Sequence, residues 1–205
     1  AITMAALPAA IALIALGRPL IALLYQRGAF DPAATEAVYG ALRWYALGLL
    51  GHASLEVAAR AFFAQQDTLT PLYLAAGSAA LNIVLGVLLM GPLGHGGLAL
   101  ANSLAVSVEV IALLAILRRR WGGIGAPDVH RTLGRVALSS TVMLAAIVAV
   151  LRLIPTTWGA FGALAAGASV GALSYVLSGL LLGLGITLRS LARWGEPVTP
   201  VESAL

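Results

Sequence analysis

The sequence predicts an all-α fold, a polytopic bundle of about six transmembrane helices, and three observations carry that prediction. Of 205 residues, 60% are hydrophobic and only 10% are charged, against roughly 25% charged in an ordinary soluble domain. Mean hydropathy is +0.98, so the chain lacks the polar surface a water-soluble fold requires. The apolar residues also fall into about six runs near the roughly 20 residues that span a 30 Å hydrocarbon core, separated by short polar or Gly/Pro-rich stretches.

The first run extends from the N-terminus to about Leu24, with Pro8 and Gly17-Arg18-Pro19 as expected kinks. Tyr25 to Thr35 reads as a polar loop, and Thr35 as the N-cap of a long second helix over about Glu36–Ala64. Gln65-Gln66-Asp67-Thr68 predicts a short turn, and Pro71 marks the start of a third helix to about Met90. The run Gly91-Pro92-Leu93-Gly94-His95-Gly96-Gly97 predicts a tight turn into a fourth helix that ends at Arg118-Arg119-Arg120. A polar connection over Trp121–His130 then leads to a fifth helix, about Arg131–Leu153. Pro155 to Gly159 turns into a sixth, about Ala160–Leu184, which carries Gly167-xxx-Gly171 and Gly179-xxx-Gly183 as packing faces. The tail, with Arg189, Arg193 and Trp194, reads as an interfacial segment.

All twelve basic residues are Arg, against eight acidic ones. In a membrane protein a basic excess collects in cytoplasmic connections. Arg118, Arg119, Arg120, Arg131 and Arg135 therefore place the connection after helix four in the cytoplasm, and Arg189 and Arg193 place the tail there. Alternation puts the Gln65–Thr70 turn inside too, and the loops at Arg27, His95 and Pro155 outside. Nucleic acid is not an expected partner, because so few charges are spread so thinly. The first Met is residue 4 and the opening residues already read as helix interior, which predicts a piece cut from a larger protein.

Cysteine is absent, which excludes thiol catalysis, disulfides and Cys-ligated metal. The chain has no GxxxxGK[ST] phosphate loop, no HExxH and no GxSxG. His52, His95 and His130 fall in different segments, so no shared metal site is expected. The polar residues within helices say more, since an ionisable side chain at mid-membrane costs at least about 2.5–3.5 kcal/mol and faces protein or water. Helix two carries Arg43, His52, Glu56 and Arg60, the last three at i, i+4, i+8 on one face. They are the substrate-path candidates, with a structural Glu56–Arg60 pair as the alternative. Helix three supplies Ser78 and Asn82, and helix four Asn102, Ser103, Ser107 and Glu109. Asn82 and Asn102 could join a freed carbonyl around a small cation, although an interhelical hydrogen bond between them is favoured, and Glu109 lies about two turns beyond Asn102.

The string LPAAIALIALGRPLIALLYQRGAFDPAAT, then RAFFAQQDTLTP, then GPLGHGGLALANSLA resembles the C-terminal half of the MurJ/MviN family of lipid II flippases. That family lies within the multidrug/oligosaccharidyl-lipid/polysaccharide (MOP) exporter superfamily. The landmarks are Arg27-Gly28-Ala29-Phe30, Arg60-Ala61-Phe62-Phe63-Ala64 with Asp67-Thr68 and Thr70-Pro71, and Gly97-Leu98-Ala99-Leu100-Ala101.

The resemblance implies a fourteen-helix inner-membrane transporter of bacteria, of which this chain is similar to helices nine to fourteen. Residues 1–120 would complete the C-terminal lobe with four helices, and 121–205 would add two further helices and a cytoplasmic tail. Both ends of the chain would be cytoplasmic. The implied substrate is lipid II, a polyprenyl-pyrophosphate-linked glycopeptide, moved for peptidoglycan synthesis and cell shape. The other partners would be membrane lipids and the absent N-terminal lobe, which holds most of the headgroup-binding arginines. In members with a sodium site, the matching positions are Asn82, Leu98 and Asn102. Gly86 stands at the carboxylate position, which argues against sodium coupling and leaves membrane potential as the other driving force. No cofactor and no enzymatic activity are expected. The competing readings are an O-antigen or drug exporter of the same superfamily, and a membrane-embedded transferase for which His52 and Glu56 are the candidate groups.

Overall fold

A computed structural model describes residues 2–121 and 128–184. Within these residues six α-helices run in chain order: α1 (Ile2–Tyr25), α2 (Pro32–Phe63), α3 (Leu69–Leu93), α4 (His95–Trp121), α5 (Asp128–Leu153) and α6 (Gly159–Leu181). The described residues contain no strand. Among the described residues, five helices are long and apolar enough to cross a membrane: α1, α3, α4, α5 and α6. The other, α2, has 32 residues and reaches about 48 Å, but its internal charges lower its hydropathy. It packs against both α4 and α1. The expected interfacial tail with Arg189, Arg193 and Trp194 lies outside the described residues, as does most of the Trp121–His130 connection.

Several boundaries differ from the sequence reading, each for a local reason. The second helix starts at Pro32, not Glu36, because Asp31 is its N-cap: the Asp31 carboxylate accepts from the Ala34 N–H at 2.7 Å and Pro32 fills the first helical position. Thr35 is instead a buried first-turn residue whose hydroxyl donates to the Asp31 carbonyl. Glu36 is released to pair with Arg18 of α1 at 2.6 Å, and the Arg18 guanidinium also lies 5.0 Å from the centroid of the Tyr39 ring. The Gly91–Gly97 turn shrinks to Gly94 alone, whose φ of 55° is open to glycine at little cost. Pro92 stays within α3. A Cβ on Gly97 would run into the Leu89 backbone, so only glycine lets α4 leave α3 so abruptly. Pro8 and Pro19 both sit inside a continuous α1.

Packing follows two seams. Around α4, Phe62 and Ala58 of α2 meet Leu113 and Leu117 in a buried cluster. Where α2 crosses α4, Gly48 sits so close to Ser103 that a Cβ there would lie 3.0 Å from the Ser103 Cα, and the Ser103 hydroxyl donates to the Trp44 carbonyl at 2.7 Å. Small residues permit this approach, which supplies packing where lipid supplies no hydrophobic drive. The second seam joins α1, α5 and α6 through Leu16, Met143 and Ile147. Gly167 and Gly171 receive Leu16 and Ile147 at this seam, as the small-residue spacing predicts. Gly183 has a different role: it lies beyond α6 with φ 65°, and the Leu184 N–H returns to the Gly179 carbonyl to close the helix end. The Tyr175 hydroxyl of α6 donates to the Met4 carbonyl at 2.6 Å, fastening α6 to α1.

Candidate functional site: a polar groove on α4

Both α2 and α3 pack against α4 but scarcely touch each other. The result is a groove whose floor is α4 and whose walls are α2 and α3. Asn102 and Glu109, seven residues apart, fall on the same side of α4 and open into it at two levels.

At the first level a pocket of about 360 Å³ is lined by Tyr45, Asn82, Ile83, Gly86, Val87, Met90, Leu98 and Asn102. Asn82 of α3 converges with Leu98 and Asn102 of α4. The expected Asn82–Asn102 hydrogen bond does not form among the described residues. Asn102 Oδ1 instead lies 3.0 Å from His52 Nε2, an arrangement in which the ring N–H donates to the amide oxygen. The reason is geometric: His52 and Tyr45 lie on nearly the same stripe of α2, seven residues apart, and that stripe faces the groove. Gly86 is buried, and a Cβ there would meet only the Leu98 Cδ2 at 3.3 Å.

At the second level a pocket of about 490 Å³ is lined by Leu55, Glu56, Ala59, Phe63, Thr68, Pro71, Leu72, Ala75 and Glu109. Glu56 Oε1 accepts from Arg60 Nη2 at 2.8 Å and Nε at 3.1 Å. The pair is open, its side chains 67% and 73% exposed. Glu109 was anticipated only as a distant companion of Asn102; in the structure it belongs to the Glu56 pocket instead.

Arg43 does not join the group. It lies nine residues before His52, about 180° around the helix, with its guanidinium 5.4 Å from the centroid of the Trp44 ring. Of the four α2 candidates, the structure thus brings His52, Glu56 and Arg60 to one face and leaves Arg43 on another. The feature that sequence reasoning missed is the latch beneath this face. Asp67, in the α2–α3 turn, accepts from the Thr70 N–H at 3.0 Å, the Thr70 hydroxyl at 2.7 Å and Arg120 Nη1 at 2.5 Å. These hydrogen bonds, the backbone one first, lower the Asp67 carboxyl from 3.8 to about 2. The Arg120 guanidinium also covers the Phe62 ring, 5.6 Å from its centroid.

Together the helices and groove define a multi-pass membrane bundle with a polar cleft on one side. The profile of the family described as "Lipid II flippase MurJ" matches residues 1–169, and the chain belongs to that family. It is 36% identical over 143 residues to a probable lipid II flippase MurJ of Rhizobium meliloti (strain 1021), covering 69% of this chain and 26% of that protein. A counterpart from Vibrio cholerae is 29% identical over 150 residues, covering 71% of this chain and 28% of the relative. Among solved structures, "Lipid II flippase MurJ, inward closed conformation" superposes with a TM-score of 0.76 at 25% identity, over 93% of this chain and 38% of the other. The chain therefore spans only about a quarter of the length of the curated relatives it matches.

Proposed function

We propose that this chain forms the C-terminal part of a cytoplasmic-membrane transporter that moves a polyprenyl-pyrophosphate-linked glycopeptide, lipid II, from one leaflet to the other. One observation supports a transport role above others. His52, Glu56 and Arg60 present ionisable groups on a face that this chain leaves open. A charge facing lipid there would cost several kcal/mol, so the face turns toward a water-filled path or toward further protein. Residues 1–120 would then be one side of a lobe and α5 and α6 an addition to it, rocking against a second lobe as repeat-built transporters do. Both ends of the chain are assigned to the cytoplasm on its Arg distribution. With Gly86 in the pocket of Asn82 and Asn102, the reading favours membrane potential over sodium as the driving force.

A catalytic role has little support. The two groups a transferase would need, His52 and Glu56, are engaged by Asn102 and Arg60 respectively.

The test is a chimera in which this chain replaces the matching segment of the Rhizobium relative. In cells depleted of their own flippase, the chimera restores translocation of labelled lipid-linked precursor. A chimera present in the membrane at the relative's normal level that leaves the precursor on the inner leaflet overturns the reading. Because the chain has no cysteine, topology is checked with single replacements. Gln65→Cys should react only with reagent supplied from the cytoplasm, and Arg27→Cys only from outside.

A further inference from the structure

We propose that the second-level pocket, between α2 and α3 and floored by Glu109, binds a monovalent organic cation carried on an apolar body. Glu109 is the anchor. Its residue is only 8% exposed, it lines the pocket, and it has no hydrogen-bond or ion-pair partner among the described residues. A carboxylate on so enclosed a residue, opening into a largely apolar pocket with no counter-charge beside it, is costly to leave unpaired. A ligand that brings a positive charge removes that cost.

Charge and size then select the ligand class. Two carboxylates line the pocket, Glu56 from α2 and Glu109 from α4, and the Arg60 guanidinium pairs with Glu56 from one turn further along α2. From α3 come Thr68's turn and then only Pro71, Leu72 and Ala75, none of them titratable. Glu56 and Arg60 cancel each other across 2.8 Å, which leaves one negative charge, that of Glu109. A single positive charge balances it. The volume of about 490 Å³ falls within the roughly 300–1,000 Å³ of organic-ligand pockets, far larger than a bare metal ion. Its walls are chiefly carbon, from Leu55, Ala59, Phe63, Pro71 and Leu72, and the Phe63 ring can add a cation–π contact. A hard inorganic ion, which needs a shell of oxygens, finds too few of them.

The inference does not depend on the lipid II reading, because binding is measured without transport. The purified chain in zwitterionic nanodiscs is titrated with radiolabelled tetraphenylphosphonium, with empty nanodiscs as the blank. Saturable binding at one site per chain is expected, weakened about tenfold or more by Glu109→Gln, which is nearly isosteric. Leu72→Trp, which fills the pocket from an exposed position on its wall and leaves the carboxylate in place, should weaken it similarly. Asn102→Ala, in the other pocket, should leave it unchanged. Wild-type affinity in both Glu109→Gln and Leu72→Trp overturns the proposal. So does displacement of the probe by sodium or potassium as effective as by unlabelled tetraphenylphosphonium, since the site would then be inorganic.

Discussion

Arg120, at the last turn of α4, grips Asp67 in the turn between α2 and α3 through an Nη1–Oδ2 contact of 2.5 Å. The same carboxylate holds the Thr70 N–H at the start of α3. One side chain thus ties three helix ends, and Arg120 closes over Phe62 of the buried cluster as well.

The latch should show itself in the pH dependence of stability. The Asp67 carboxyl is lowered to about 2 from 3.8, so the unfolded chain binds its proton more readily than the folded one. The stabilisation is complete above the unfolded value and disappears as pH falls from about 4 to about 2. Asp67→Asn should lower the thermal unfolding temperature at pH 7, and the gap from wild type should close across that acid window. A gap that persists unchanged at the acid end would mean that the carboxylate's charge is not what holds the turn.

Much of this architecture is legible in the sequence, and the reasons for the exceptions are specific. Helix number and the i, i+4, i+8 stack of His52, Glu56 and Arg60 follow from local spacing. The N-cap was misplaced because Thr35 and Asp31 are both competent caps; the Pro after Asp31 decides between them. The partner of His52 could not be read, because Asn102 is 50 residues away and nothing local selects it over Asn82. Glu109 was visible as an ionisable residue in an apolar helix. Its pocket was not, since it exists only because α2 and α3 both pack on α4 and leave a gap between them.

The α2–α4 crossing depends on the absence of a side chain at Gly48. Gly48→Ala would drive a methyl into the Ser103 side chain and to 3.0 Å from its Cα, forcing the helices apart at the Ser103–Trp44 hydrogen bond. Overpacking of this kind costs about 1–3 kcal/mol. Gly77→Ala is the control, because nothing lies within 4 Å of a Cβ there, and it should stabilise α3 by about 0.4–1 kcal/mol. Thermal unfolding in detergent separates the two. Equal shifts would show that the loss of glycine itself, and not the close approach, governs the outcome.

On α5, Ser139 and Ser140 are wholly buried, and neither hydroxyl has a partner among the described residues. A buried hydroxyl that forgoes its hydrogen bond costs about 1–3 kcal/mol, so Ser140→Ala should leave stability unchanged or raise it. A drop in unfolding temperature comparable to that of Gly48→Ala would reveal that the hydroxyl is bonded in the folded protein.

Gly86 offers the sharpest test of the first-level pocket, because the residue is missing the one group that a cation site there would need. Asn82, Leu98 and Asn102 already line the same pocket, and the Leu98 Cδ2, 3.3 Å from where a Cβ would stand, is the end of a flexible side chain that can move aside. Gly86→Asp should therefore fold, at reduced stability, since a carboxylate is placed at a buried position with no counter-charge beside it. Sodium should then restore it. A ligand that binds only the folded state adds about 2.7 kcal/mol at a hundred times its dissociation constant, so the variant's unfolding temperature should climb with sodium chloride and not with potassium chloride. The wild-type chain, lacking the carboxylate, should show no such difference between the two salts. His52 offers an internal check: its hydrogen bond occupies Asn102 Oδ1, the oxygen an ion would use, so His52→Ala combined with Gly86→Asp should shift the response to lower sodium. A wild-type chain that is itself stabilised selectively by sodium would show that the site works without a carboxylate, and the membrane-potential reading would then give way to ion coupling.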